Sequence, residues 1–384
     1  MKRAIALIFI TLWPSVSMAN WQARASVETS VENNVFRNSD NEHDIVSETT
    51  LSLSRTWAWK PWSAAISYEG SYVGFMDHGS HDYLFHQAGM SMQRNLEHDG
   101  FLRGGFRTAM RSDGDAYELY DYREYQLFID AKLPVNDRLT VFTGYHLRQR
   151  AYDELDELDN IEHRLYARLR HTSVKGLTLT LSSELGFKSY QTTDGSESII
   201  TGSGSRSRKI VTTASNETTL TAGQWIKELN ATRPIIDEKT GLRLSVVHRS
   251  NFGDQAMAIS GLNADQYTET DLFDDPYSYE SLELRGMVSR VLPYGVTARI
   301  GFDYANKDYQ DAALDAIGNP LPGEPMRRDR QYSLWARMEK SFTVNAWHTN
   351  LNLYGQYRHI RNSSNDSYYD YRATSFTAGA ELNF

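Results

Sequence analysis

"ATSFTAGAELNF", residues 373–384, sets Phe376, Ala378, Ala380, Leu382 and Phe384 at alternate positions, with Thr377, Gly379, Glu381 and Asn383 between them. Successive side chains of a strand point to opposite faces, so this stretch predicts a strand with one apolar face and one wet face. What covers the apolar face decides the fold. The alternation recurs along the chain. "RLTVFTGYHLR" (138–148) opposes Leu139, Val141, Thr143, Tyr145 and Leu147 to Thr140, Phe142, Gly144, His146 and Arg148. "GLTLTLSSELGFK" (176–188), "GVTARIGFDY" (295–304) and "HTNLNLYGQYR" (348–358) repeat it. One such segment is a weak signal, whereas many in series are the pattern of a transmembrane barrel.

The opening "MKRAIALIFITLWPSVSMA" has two basic residues, a short apolar run and small residues at Ser17 and Ala19, which predicts a secretory leader over residues 1–19. The apolar run is too short for a membrane-spanning helix and is followed by Pro14. The chain has no Cys, which excludes disulfides and a lipid-modified cysteine. Mean hydropathy is −0.55, yet there are 23 Tyr, 15 Phe and 8 Trp and only 9 Pro. An exported chain that is polar on average and rich in aromatics fits a barrel, because its lipid face and its water face cancel in the mean. The net charge of −9 does not suggest nucleic acid as a partner.

Connections alternate in length. Short turns are read at 58–62, 95–100, 134–137, 173–176, 237–241, 292–295 and 343–347, with longer polar loops such as 152–160, 191–209, 253–275 and 310–329 between them. Short periplasmic turns and long external loops are the barrel arrangement, and seven short turns imply about sixteen strands, within 14–18. The stretch 191–231 leaves the count open. A solenoid would show constant repeat length, and a sandwich would not need so many aromatics at strand ends. The expected architecture is therefore all-β: one transmembrane antiparallel barrel over residues 20–384, in the outer membrane of a Gram-negative bacterium. Trp57, Trp59, Trp62, Trp347, Tyr277 and Tyr279 are read as an interfacial girdle.

The terminal strand resembles the carboxy-terminal signal of bacterial outer-membrane barrels, which end on an aromatic. That resemblance implies recognition by the barrel-assembly machinery through Leu382 and Phe384. "VENNVFRNSD" (31–40) is similar to the first-strand segment of porins associated with exopolysaccharide systems.

Charged side chains on the lipid face are costly, so most are expected inside. The candidate pore-lining residues are Arg103, Arg107, Arg164, Arg168, Arg243, Arg285, Arg299, Arg337, Arg358, Glu124, Glu283, Asp303 and Glu339. Arg111, Lys132, Arg148, Arg170, Lys188, Arg249, Glu69, Asp130, Glu184 and Glu381 share their faces. This reading gives the interior more cations than carboxylates, and with it a channel for small hydrophilic solutes, anionic or saccharide. Individual pairs could equally form cross-strand ladders that stiffen the wall.

Two other function classes follow from the same barrel. A lumen shut by loops 191–215, 253–275 and 310–328 would leave a surface scaffold, adhesin or assembly partner. His248 and Ser250, two apart on the lipid side, resemble the outer-membrane phospholipase arrangement; that family also has an Asn on the neighbouring strand, and "YSYESLELRG" (277–286) has none. No catalytic residue, cofactor or metal site is assigned. The acidic run 153–159 could hold a divalent cation between phosphates of lipopolysaccharide, but lacks the oxygen spacing of a calcium loop. The oligomeric state is open, and outer-membrane lipid and lipopolysaccharide are the surroundings the barrel implies.

Overall fold

The structure, a computed structural model, describes residues 21–114, 117–190, 199–200, 208–209, 220–254, 275–344 and 349–384. The expected leader, most of loops 191–215 and 253–275, and Trp347 lie outside the described residues. Sixteen antiparallel strands close into one barrel. They are β1 (Trp21–Glu32), β2 (Asp44–Trp59), β3 (Trp62–Phe75), β4 (Tyr83–Asn95), β5 (Phe101–Asp113), β6 (Tyr122–Asn136), β7 (Leu139–Tyr152) and β8 (Asn160–Thr172). The second half comprises β9 (Thr178–Tyr190), β10 (Thr221–Pro234), β11 (Thr240–Gly253), β12 (Tyr279–Val291), β13 (Thr297–Ala312), β14 (Met326–Val344), β15 (Thr349–Ser364) and β16 (Tyr371–Asn383).

Each strand pairs with its neighbour in sequence, and β1 pairs with β16 to close the wall. The open question over 191–231 resolves simply. β9 pairs directly with β10, which begins at Thr221, while Ile199–Ile200 and Arg208–Lys209 pair with each other outside the barrel. Closure matters because lipid offers no hydrogen bonds, so every backbone group at membrane depth must be satisfied within the wall.

The register explains why the alternation is strict. Val288, Ile300, Ala336, Tyr357, Phe376, Val31 and Ile45 are successive cross-strand partners from β12 to β2, forming one apolar rung that runs across the β1–β16 seam. Shifting any strand by one residue would turn its apolar set into the lumen. Inside, Trp335 of β14 lies where a Cβ on Gly301 of β13 would sit, and its Nε1 donates to Asp303 at 3.1 Å.

The short turns share a rim with the start of β1 and the end of β16, where Ala23 and Phe384 exchange backbone hydrogen bonds. Trp57, Trp59 and Trp62 face outward near this rim, and the Arg55 guanidinium lies 5.0 Å from the Trp57 ring centroid. At the opposite rim several of the described connecting segments fold inward. Val35 and Phe36, after β1, are buried against Val46, Val73 and Phe75 on the interior wall. "VENNVFRNSD" is therefore mostly loop: β1 ends at Glu32, and the segment similar to a first strand packs back inside the mouth. Tyr120, Leu155 and Leu158 pack with Tyr122, Tyr152 and Tyr190 in the same way.

Candidate functional site

The interior is the candidate site, and parity assigns its residues. On β5 the inward positions are Arg103, Arg107 and Arg111; on β6 Glu124, Asp130 and Lys132; on β8 Glu162, Arg164, Arg168 and Arg170. Arg243 on β11, Glu283 and Arg285 on β12, Arg299 and Asp303 on β13, Arg337 and Glu339 on β14, and Arg358 on β15 also take the inward parity.

The interior holds more carboxylates than expected, and the excess of cations narrows. Glu28 and Glu32 of β1, Asp44 and Glu48 of β2, Asp113, Glu162, Glu228 and Asp329 share the interior faces and were missed. β1 and β2 carry Ser and Thr on both faces, which hides their parity in the sequence. Arg24, Arg150, Lys307 and Arg327 were missed likewise.

The two signs are distributed along the axis. In the outer half most of the cations are paired and packed. Arg150 meets Glu124 at 2.5 Å, Arg148 meets Glu162 at 2.8 Å, Arg249 meets Glu283 at 3.0 Å and Arg327 meets Asp329 at 2.5 Å. Arg285 also pairs with Glu283, and the Tyr354 hydroxyl donates to Glu28. Arg327 is sandwiched further, 3.9 Å from the Tyr309 ring centroid and 3.2 Å from that of Tyr369. Towards the short-turn rim the balance changes. Arg107 and Arg168 hydrogen-bond only neutral side chains, Gln126 and Ser182. Arg170 lies over the Phe142 ring, and Arg243 is exposed. Among the described residues none of these four pairs with a carboxylate. Arg299 and Arg337 share one, Glu339, at 2.7 and 3.2 Å.

Tyr277 and Tyr279 are not girdle residues. Tyr279 has the parity of Glu283 and Arg285, so it faces inward, its ring tilted against that of Tyr309 at 5.2 Å between centroids. Tyr277 sits in a short 3₁₀ turn, Pro276–Ser278, that enters the barrel ahead of β12. Its hydroxyl crosses to β8 and donates to Glu162 at 2.7 Å. The same segment is anchored by Asp275, whose carboxylate accepts from Lys188 Nζ at 2.6 Å and from the Tyr190 hydroxyl at 3.2 Å. Gln224 donates to the Pro276 carbonyl, and Asn251 to that of Tyr277 at 2.8 Å. One loop segment is thus tied to β8, β9, β10 and β11, and it narrows the outer half of the lumen from one side.

Gly186 on β9 makes room for this segment: a Cβ there would lie 2.1 Å from the Tyr277 hydroxyl oxygen. Gly186→Val is expected to expel Tyr277 and to cost about 1–3 kcal/mol through overpacking. Urea unfolding of the barrel in lipid vesicles measures the cost. At the mouth, burial, with repulsion from Asp113 and Asp153, pushes the Asp121 carboxyl up to about 6. On acidification Asp121 therefore loses its charge before an ordinary carboxylate does.

His248 and Ser250 face outward, as expected for the phospholipase-like arrangement. Their cross-strand partners are Lys227 and Leu282 for His248 and Trp225 for Ser250. No amide stands where a base-orienting Asn is required. The acidic run at 153–159 is used structurally, its Leu155 and Leu158 buried under the mouth and Asp159 accepting from the Tyr152 amide at 2.8 Å.

Among solved structures the chain resembles the outer membrane protein OpdK of Pseudomonas aeruginosa, at 9% identity over 95% of this chain and 100% of that one, with a TM-score of 0.50. OpdK solved with vanillate gives 10% identity, 95% and 99% coverage, and a TM-score of 0.50. At such identity the likeness shows the fold. No curated protein matches the chain in sequence. Residues 122–384, from the start of β6 to the last residue, match the family described as surface lipoprotein assembly modifier. A closed sixteen-strand barrel with an apolar outer wall is a protein of the Gram-negative outer membrane. With most of its length matched, the chain belongs to the surface lipoprotein assembly modifier family.

Proposed function

We propose that the barrel is a passage for small hydrophilic anions. The observation that carries this reading is the set of exposed cations without a carboxylate partner in the periplasmic half of the lumen: Arg107, Arg168, Arg170 and Arg243. In water such charges attract a solute anion at a range set by salt, about 8–10 Å at 0.1–0.15 M. In the outer half most of the arginines are already paired with carboxylates, so the width there is set by the inward loops and selectivity is set below them. A sixteen-strand wall is wide enough to leave an aqueous lumen beside such loops.

Single-channel recording of the refolded chain from Asn20 onward, under a salt gradient, tests the proposal. Steady conductance with anion preference is expected. Arg168→Glu with Arg170→Glu should move the reversal potential toward cation preference, while Arg327→Gln in the packed outer half should leave selectivity unchanged. A folded barrel that conducts with no change on double reversal would sink the anion reading.

The family match favours a second reading, in which the barrel assists assembly of surface lipoproteins. The inward loop segments, with 275–278 hydrogen-bonded to β8, β9, β10 and β11, would then close the lumen at rest. A folded wild-type barrel that stays silent in the bilayer is the outcome that selects it.

A further inference from the structure

The lipid-facing wall is not uniformly convex. Across β3 to β7, Ala64, Met92, Gly104, Ile129 and Tyr145 are successive cross-strand partners, and Ile66, Met90, Phe106, Leu127 and Leu147 form the next outward rung. Ala64 and Gly104 contribute little or no side chain, while Met90, Met92, Phe106 and Ile129 stand up around them. The result is a hollow of about 710 Å³ on the outer surface, within the range of about 300–1,000 Å³ typical of sites for small ligands.

One end of the hollow approaches the short-turn rim. Two residues along from Met92 on the same face of β4 is Arg94, exposed and 5.7 Å from the Trp62 ring centroid. No carboxylate among the described residues pairs with Arg94. An apolar hollow inside the lipid belt therefore ends beside an unpaired cation at the level of the periplasmic headgroups.

We propose that this is a binding site for one phospholipid of the periplasmic leaflet, an acyl chain lying in the hollow and the phosphate on Arg94. Lipid tails are as apolar as the wall, so water exclusion gives no preference for this position over any other. Two things do. A chain in a hollow touches protein on several sides, where a convex wall gives contacts on one. The guanidinium adds charge-assisted hydrogen bonds to phosphate oxygens, which a patch of wall without a cation lacks. Met90 and Met92, unbranched and polarisable, can fit chains of different length and unsaturation.

Gly104 makes the proposal testable. A Cβ there meets only the Phe128 carbonyl oxygen, at an ordinary 3.5 Å, so Gly104→Leu fills the hollow without disturbing the wall. Gly286 on β12 also faces lipid, with Leu244 at 3.6 Å from its would-be Cβ, and Gly286→Leu is the control on a different face. Delipidated protein is titrated with phosphatidylglycerol in mild detergent, and bound lipid is counted by native mass spectrometry. Wild type and Gly286→Leu should each retain one lipid that Gly104→Leu loses. Arg94→Gln should weaken retention by about tenfold, the scale of a lost charged hydrogen bond. Uncharged diacylglycerol should bind wild type and Arg94→Gln equally weakly. If Gly104→Leu misfolds, judged by heat-modifiable gel mobility, Ala64→Leu fills the same hollow from β3. Equal retention by wild type and either filled variant overturns the site, and equal retention by wild type and Arg94→Gln overturns the headgroup assignment.

Discussion

Asp275→Ala is expected to destabilise the barrel by about 3–5 kcal/mol, because it removes one partner of a buried, hydrogen-bonded ion pair. Lys188 and Asp275 side chains are each 1% exposed, and their 2.6 Å contact ties the loop segment that enters the lumen to β9. Desolvation of Lys188 is already spent in the native state, and the Asp275 carboxylate, with the Tyr190 hydroxyl beside it, compensates it at hydrogen-bond distance. Once Asp275 is gone, the cheapest response is for residues 275–278 to leave the interior and let water reach Lys188. Two readouts should therefore move together: the midpoint of urea unfolding in vesicles should fall, and single-channel conductance should rise as the outer half widens. Lys188→Met combined with Asp275→Leu should recover much of the stability while keeping the segment in place, since apolar pairs often replace buried ion pairs at little cost. Lower stability without a change in conductance would show that this segment does not limit the lumen.

Leu284→Arg is expected to cost about 2–4 kcal/mol, the penalty of a guanidinium on the lipid face near mid-depth. Leu284 sits between Val246 and Tyr304 on the outward wall, while the next residue, Arg285, faces water and pairs with Glu283. The same side chain one position apart thus meets opposite solvents. Arg285→Gln should cost far less, because Glu283 keeps Arg249 as a partner. Unfolding free energies in vesicles compare the two, and similar costs would mean that the parity of β12 is wrong.

The barrel was legible because every strand answers to two solvents at once. Lipid on one side and water on the other leave a period of two in segments such as 295–304, and short turns leave a mark because only one rim needs them. Tyr279 was misread from its nearness to a strand end, although its parity with Glu283 and Arg285 was already visible. Tyr277 is a different case. Its contact with Glu162 and the Lys188–Asp275 pair join residues far apart in the chain, and nothing local marks them. The carboxylate count fell short because Glu28, Glu32 and Glu48 lie in strands whose outward faces mix Ser47, Thr29 and Thr49 with apolar residues such as Val31 and Ile45, so the alternation there is weaker than elsewhere. The cations that stand out in the structure, Arg107, Arg168 and Arg243, were among those read from sequence, but only the fold shows which of them lack partners.

The seam between β1 and β16 has a consequence for assembly. Arg24 is the register partner of Asn383, and Val31 of Phe376, so the contacts that close the wall are the most distant in the sequence. All other rungs join neighbours and can form as hairpins; this one waits for both ends of the sheet to meet. Until then the growing barrel is a curved sheet with two raw edges, each a template for any passing strand. Folding is thus divided into a fast local phase and a slow ring closure dominated by chain entropy, and during that interval a catalyst that holds one edge would have the most to offer.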